Sequence, residues 1–418
     1  MLFRHEPEVL VVGAGPVGLM TALMLAERGI PVTVIDEEQS TDTHNYALTL
    51  HPSSLRLLDD LGLANDLIRR GVRLDRVGLY GEGELRATMR LDWLRAEFPF
   101  LLVLPRLALE TLLEKRLRQK KAEVLWSHRL ASLTQNGEEV RCKIEKLGTD
   151  SVGYSVQDTA RVVVKEVELA PKFVIGADGF HSSVRRRLDL GMERVGPPQG
   201  YAPTEFLTDA QLGPELRVML DETAALMFPI PGGGARFTSE LRGDDIPSAD
   251  ASDVPIGTRM HPAQSREEFV RSLRAHAPWY DGKFTEVIWG ARVRFEPMIA
   301  RRFGVGRCWI VGDAAHVTGP VGVHSLNEGL DEAHQLASRI ARVLRSGGSP
   351  SLLEDYDAER RANWKQLLGL SPGLELGPHT DPWIAAHLPR LLPCVPATGA
   401  ERAALIRQLG VELAPLAG

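Results

Sequence analysis

The sequence predicts an α/β protein: a three-layer domain opening with a βαβ unit, an inserted and mostly antiparallel β-sheet domain, and a C-terminal helical segment. Three observations predict it. Residues 8–36 read as strand (8–13), glycine-rich turn, helix (17–28) and strand (31–36). From about 200 to 298 short strands follow one another without helical crossovers, as in a half-buried antiparallel sheet. After the strand at 307–311 the chain returns to a long helix at about 325–345.

The elements between these landmarks follow in order. An amphipathic stretch begins at Ser53 (SLRLLDDLGL). A helix opens at Pro105, a favoured first-turn position, with Leu107, Leu109, Leu112, Leu113 and Leu117 on its apolar side. A strand pair surrounds the turn signal Asn136-Gly137, and the strand KFVIGADG runs into a second glycine corner. In the inserted sheet, EVIWGARVRF alternates as one strand, with Val287, Trp289, Ala291, Val293 and Phe295 on one face and Arg292 and Arg294 on the other. Residues 242–264 read as a surface loop, and 351–368 as a further helix. This divides the three-layer domain into 1–77, 104–190 and 299–370, the inserted domain into 78–103 and 191–298, and leaves 371–418 as a helical tail.

Composition narrows the function. The 418 residues suffice for two or three domains, and 44% hydrophobic with 25% charged residues is ordinary for a soluble protein. A net charge of −6, with acidic and basic residues interspersed, argues against a nucleic-acid or anionic-membrane partner. Cys142, Cys308 and Cys394 lie far apart without a CxxC, so neither a disulfide framework, a metal site nor a dithiol reductase is expected; a reducing cytoplasm fits. The apolar run 9–26 is broken by Gly13, Gly15, Pro16 and Gly18 and lacks a basic flank, so it reads as buried strand, turn and helix rather than as a membrane span or signal peptide.

Three motifs carry the chemistry. The first is GAGPVG (Gly13, Gly15, Pro16, Val17, Gly18) directly after a strand. Its glycines permit a tight turn and close approach of a pyrophosphate to a helix N-terminus, and Asp36-Glu37 close the next strand where a carboxylate meets an adenosine ribose. The second is FVIGADGFHSSVRRRL (173–188). The third is VGDAAHVTGPVGVHSLNEGLDEA, whose small residues after Gly312-Asp313 let something approach the backbone before a long helix begins. The plainer readings are a glycine-rich turn with an incidental acid for the first and a mere connector for the third.

The three motifs, in this order and spacing, resemble the FAD-dependent aromatic hydroxylases, the para-hydroxybenzoate hydroxylase group, over about residues 7–370. The resemblance implies an FAD-binding Rossmann-like domain, with Asp313 on the ribityl chain and the loop Pro320–Asn327 along the flavin ring. Gly322 and Val323 lie in that loop, and Leu326 and Asn327 are candidates for amides reaching the ring, where reduced flavin carries negative charge. It also implies a corner organised by Asp178 and Arg185, for which a structural ion pair is an equal alternative, and an adenine contact at the backbone of Leu130. Tyr46-Ala47 stands where the family has Arg-Ala, and Arg106 where it has Gln, which suggests that a guanidinium has changed sides. GVHSLNEG (322–329) replaces GGQGMNTG, adding bulk at Val323, His324, Ser325 and Glu328.

The activity implied is oxygenation through a flavin C4a-hydroperoxide. NADH or NADPH serves as transient co-substrate, O₂ as oxidant, and an aromatic small molecule as partner. Pro320 and His324 are the candidates nearest the chemistry; His316 reads as structural, and His44 as solvated. Met227, Phe228, Pro229, Phe237 and Trp289 are candidate substrate walls, suited to a bulky aromatic or polycyclic compound, although Arg292 or Arg294 turned inward would suit an anion. A halogenase is disfavoured by the absence of a WxWxIP stretch. An oxidase without oxygen insertion and a non-catalytic flavin binder stay open, as does the oligomeric state, a homodimer included.

Overall fold

The computed structural model describes residues 6–41, 47–137, 139–152, 158–247 and 264–415. Tyr46, His44 and most of the expected 242–264 loop lie outside them.

Val9–Val12 is an unbroken aliphatic run with every residue buried, as a strand covered on both faces requires. Helix Pro16–Glu27 starts with proline in its first turn, where the missing N–H is no loss. It is apolar on nearly all sides, and Leu19, Met20, Leu23 and Leu25 are wholly buried. Each such side chain contributes about 1.5–3 kcal/mol by leaving water. The central sheet runs Gly304–Val305, Cys308–Ile310, Phe173–Gly176, Val9–Val12, Val32–Asp36, Glu123–Trp126. Its neighbours are parallel except for the hairpin at the first edge. Val12, Gly176 and Ile310 therefore end at the same edge, where ligands of open parallel sheets bind.

Beside it, His128–Gln135, Val140–Val152 and Asp158–Leu169 form a three-stranded antiparallel sheet. The sequence pointed only to a pair there. The third strand interleaves its valines with Arg161, Lys165, Glu166 and Glu168 and is exposed along most of its described length, so no apolar face marks it.

The large sheet has eight strands. Its path is Phe284–Gly290, Gln199–Thr208, Gly234–Leu241, Ala224–Ile230, Glu215–Leu220, Arg76–Gly81, Glu84–Arg90, with Val293–Phe295 also on Gln199–Thr208. The expected single strand 286–295 is in fact two, and the register on Gln199–Thr208 shifts between Glu205 and Phe206. That bulge places Trp289 opposite Glu205 but Val287 opposite Phe206, so the two do not share a face. Leu107 is likewise 36% exposed rather than on the buried side of helix Arg106–Gln119.

The C-terminal residues are less a tail than a wedge. Helices Pro382–Leu391 and Gly399–Arg407 bury Ile384, Leu391, Leu405 and Ile406 in the main core. Gln408 exchanges hydrogen bonds of 2.7 and 2.9 Å with the backbone of Arg90 in the large sheet. Among the described residues, no helix is long and apolar enough to cross a membrane.

Candidate cofactor and active site

The three motifs converge at the shared sheet edge. Gly13 adopts φ +105°, and a Cβ there would lie 2.2 Å from the Ala177 carbonyl oxygen. Only glycine allows that crossing. A Cβ on Gly18 would meet the Gly13 carbonyl oxygen at 2.0 Å, so the helix start also sits directly on the turn. Val17 packs over Gly312 and Gly329, joining the first motif to the third. Arg185 donates to the Ala314 carbonyl at 2.8 Å, joining the second to the third.

At the phosphate end, helix Pro16–Glu27 begins without a side-chain cap, so its first amides face outward from Gly15. Asp36 accepts from Ala14 N at 2.7 Å and from Glu38 N at 2.8 Å; burial pushes its carboxyl above the usual range despite these bonds. Glu37 is exposed, and its carbonyl receives Arg161. Ala47 pairs in register with Pro105, which brings the start of the next helix alongside. Arg106 there pairs with Glu110 at 2.7 Å, and its guanidinium lies 3.9 Å from the position of a Cβ on Gly15.

Asp178 does not act as an ion-pair partner for Arg185 in the hydrogen bonds it forms. Its Oδ2 caps the helix Ser183–Arg187, accepting from Ser183 N, Ser183 Oγ and Val184 N at 2.7, 2.9 and 3.2 Å. Its Oδ1 is buried and has no partner among the described residues, which leaves an acceptor for a bound group. The side chain of Leu130 is buried and its carbonyl takes Arg187 Nη2 at 3.0 Å, so an adenine contact there is not carried forward.

In the third motif, Gly312 N donates to Glu332 Oε2 at 2.8 Å, and Asp313 is exposed and accepts the Ser325 hydroxyl. Glu332 also takes His316 Nε2 at 3.0 Å and Trp364 Nε1 at 2.8 Å, and the His316 ring stacks on Trp364. Burial alone would raise this carboxyl, but the His316 interaction and these hydrogen bonds hold it below its ordinary value. His316 is thus a structural residue.

Helix His324–Arg345 takes Val323 as its N-cap. The amides left without a helical partner are then those of His324, Ser325 and Leu326, while the N–H of Asn327 closes the first turn. Asn327 instead works through its side chain. It accepts from His51 N and Ser54 Oγ at 2.8 and 2.7 Å and donates to the Thr49 and Val323 carbonyls at 2.9 and 2.7 Å. The His324 ring is 1% exposed and donates to the Pro393 carbonyl at 3.0 Å. It faces the C-terminal segment, so its expected part in the chemistry is withdrawn. Pro320, half-buried at the loop's start, accepts Val323 N at 3.1 Å.

The large sheet presents Tyr201 and Gln199 to this loop: a Cβ on Gly319 would lie 3.0 Å from the Tyr201 ring and 2.9 Å from Gln199 Oε1. Strand Ala224–Ile230 runs against Val321–Val323. On that same face, Phe228 lies in register with Arg236, Arg236 with Glu205, and Glu205 with Trp289. Arg236 bonds Glu205 at 3.3 Å and stacks over Trp289. Met227 and Phe237 belong to the other face, in a second core with Phe206 and Phe269 under helix Arg266–His276. Pro229 follows Met227 by two residues and shares its side. These three are therefore not substrate walls: period-two alternation was legible, but not which face met the helix. Arg292 and Arg294 do not turn inward as anion anchors; they bond Glu268 and Glu296 at 3.0 Å.

Several residues at the site escaped the sequence reading: His51, Glu205, Arg236, Glu332 and the pair Glu328–Arg402. A signal existed for two of them. Glu328 and Glu332 sit four apart on the stripe that continues to the buried Leu336 and Ile340, and a charge on an apolar stripe demands an internal partner.

A cradle of this kind, with glycine crossings, a bare helix start, a guanidinium and an orphaned buried acceptor, fits FAD. The comparisons agree. Residues 6–371 match the family model for the FAD binding domain. The chain belongs to this family, that of the FAD-dependent aromatic hydroxylases. It is 30% identical over 359 residues to 6-methylpretetramide 4-monooxygenase of Streptomyces rimosus, covering 85% of this chain and 59% of that protein. It is 28% identical over 360 residues to para-nitrophenol 4-monooxygenase of Pseudomonas sp. (strain WBC-3), covering 84% of this chain and 82% of that one. The crystal structure of p-nitrophenol 4-monooxygenase PnpA from Pseudomonas putida DLL-E4 superposes with a TM-score of 0.72 at 23% identity, over 97% and 98% of the two chains.

Proposed function

We propose that the chain is an FAD-dependent monooxygenase that takes electrons from NADH or NADPH and places one oxygen atom of O₂ on a bulky aromatic or polycyclic compound. The observation that carries this reading is the meeting of the 319–326 loop with the Tyr201–Phe228 face of the large sheet. The helix-start amides of His324, Ser325 and Leu326, which have no helical partner, lie at the end of that loop. Bound FAD would supply the redox chemistry, accepting hydride equivalents and activating oxygen.

The chain's own residues do the rest. Gly13, Gly15 and the start of helix Pro16–Glu27 receive the pyrophosphate, Arg106 adds a positive charge beside it, and Asp36 receives the ribose. Asp178 Oδ1 and Asp313 offer acceptors to the ribityl hydroxyls. With flavin bound, the Leu326 amide would stabilise negative charge on the ring, and Pro320 would line the loop along it. Phe228 and Trp289 provide apolar wall, while the Glu205–Arg236 pair gives a polar anchor for a phenol or ketone oxygen. Three buried free thiols suit a reducing compartment, and we place the enzyme in the cytoplasm.

The test is substrate-stimulated NAD(P)H oxidation under ¹⁸O₂, with a screen of phenols, quinones and polycyclic ketones. Label in the product supports the proposal; an oxidised product that carries no label and forms without NAD(P)H makes the protein an oxidase. Arg106→Ala is expected to weaken FAD binding about tenfold, the loss of one charge-assisted contact. Unchanged flavin affinity by fluorescence titration would remove Arg106 from the site.

A further inference from the structure

The 319–328 segment is held by contacts from segments distant in the chain. His51 Nε2 donates to the Gly322 carbonyl at 3.0 Å, and His324 Nε2 donates to the Pro393 carbonyl at 3.0 Å. A Cβ on Gly322 would lie 2.0 Å from that same Pro393 oxygen, so residues 392–394 fill the space directly behind the loop. Thr398 meets the Ser53 hydroxyl, and Arg402 donates to the Ala397 carbonyl at 2.9 Å. Arg402 also pairs with Glu328, both side chains being 2% exposed, while Asn363 donates to the second Glu328 oxygen at 2.9 Å.

The residues that depart from the family pattern in 322–329 are largely the ones engaged here. His324 and Glu328 reach the C-terminal segment, and Val323 carries the left-handed turn just before them at φ +54°. Such a backbone persists only where its surroundings over-determine it.

We propose that residues 392–402 form a fixed backstop that keeps the 319–326 loop in one position, with Glu328 and Arg402 as its positioning residues. The pair does not touch the cleft. It anchors the first turn of helix His324–Arg345, so that the amides of His324 to Leu326 stay aimed at the flavin without reorganising when it binds. This rests on the reading of the loop as the flavin's seat, but its first readout is independent of flavin.

The experiment uses the full chain. Removing one partner would strand a buried charge, so the informative variant is the double Glu328→Thr/Arg402→Met, which removes both charges. Hydrogen exchange of the apo-protein is expected to show amides 319–328 exchanging about tenfold or more faster, with the amides of Val9–Val12 unchanged. FAD affinity is expected to fall about tenfold, and more of the NAD(P)H consumed should yield H₂O₂ rather than product. A folded double variant with parental exchange in 319–328 overturns the backstop. Faster exchange with unchanged FAD affinity overturns instead the placement of flavin on this loop. If the double variant does not fold, Arg402→Lys decides by the same exchange measurement. It keeps the charge but loses the planar fork that spans Ala397 and Glu328, and parental exchange there counts against the proposal.

Discussion

The turn at 13–18 and the loop at 319–323 each lead into a helix whose first amides are uncapped, and Val17 of the first turn packs over Gly312 and Gly329 on either side of the second. They are fixed by different means. In the first, backbone packs on backbone: Gly13 crosses Ala177, and Gly18 sits on Gly13. The second has one such crossing, Gly322 on the Pro393 carbonyl, but side chains do most of the holding: His51, Asn327, Glu328 and Arg402 reach across chain separations of up to hundreds of residues. A backbone crossing admits only glycine and so leaves a written motif. A side-chain clamp can be built in many ways, and it frees the loop to carry residues such as Val323 where glycine is the default.

The largest break in this comparison is Gly13→Ala. The added Cβ would meet a backbone oxygen at 2.2 Å with φ at +105°, and neither partner can swing away. A loss of more than about 4 kcal/mol in urea unfolding is expected, with FAD binding abolished. A variant that melts within about 1 °C of the parent, roughly 1 kcal/mol for a chain of this length, would show the turn to be adaptable.

Next comes Arg402→Met alone, which leaves Glu328 buried without its charge partner. Breaking such a pair typically costs about 3–5 kcal/mol, whereas removing both charges costs much less. The single variant should therefore be less stable than Glu328→Thr/Arg402→Met. Equal stabilities would mean that water reaches Glu328.

Acid separates the two regions by sign. Burial, chiefly, holds His51 down at about 3 from an ordinary 6.5, with the Arg402 charge adding to it; burial and the charges of Arg402 and His51 hold His324 well below 6.5. Below 6.5 the unfolded chain binds protons that these folded rings refuse, so stability falls as pH drops toward the folded values. The pair should lose about 2–3 kcal/mol between pH 7 and 5.5, at about 1.4 kcal/mol per unit for each ring once below 6.5. Asp36 in the first region runs the other way: burial raises its folded value, so acid favours the fold in the window just above 3.8. Urea midpoints against pH for the parent and His51→Gln measure the difference, and an unchanged slope in the variant would exclude His51 as a source.

The same contrast explains what was legible in the sequence. The βαβ opening, the glycines at 13, 15 and 18 and the sheet-rich insertion could be read because local sterics and apolar runs dictate them. The bulge at Glu205 could not, since register depends on the partner strand, and it decided which of Val287 and Trp289 shares a face with the Glu205–Arg236 pair. Nor could the assignment of Met227 and Phe237 to the far face, which depends on where helix Arg266–His276 packs. The C-terminal wedge was hidden because its contacts are carbonyls and ion pairs without periodic signature.

The smallest expected effect sharpens the comparison most. Val323 holds φ +54° and ψ +42°, a region a β-branched residue enters only under constraint. Replacing it with glycine should relieve about 1–2 kcal/mol of backbone strain and return about 0.5–1 kcal/mol as extra freedom of the unfolded chain. The net is a stabilisation of about 0.5–1 kcal/mol, visible as a rise of about half a degree to one degree in melting temperature. If the clamp and not the residue fixes the turn, amide exchange across 319–328 should stay at the parental rate in Val323→Gly. A variant that melts lower, with faster exchange confined to this loop, would show that the Val323 side chain itself braces the turn. The contrast between a backbone-written loop and a side-chain-clamped one would then narrow to the pair Glu328–Arg402.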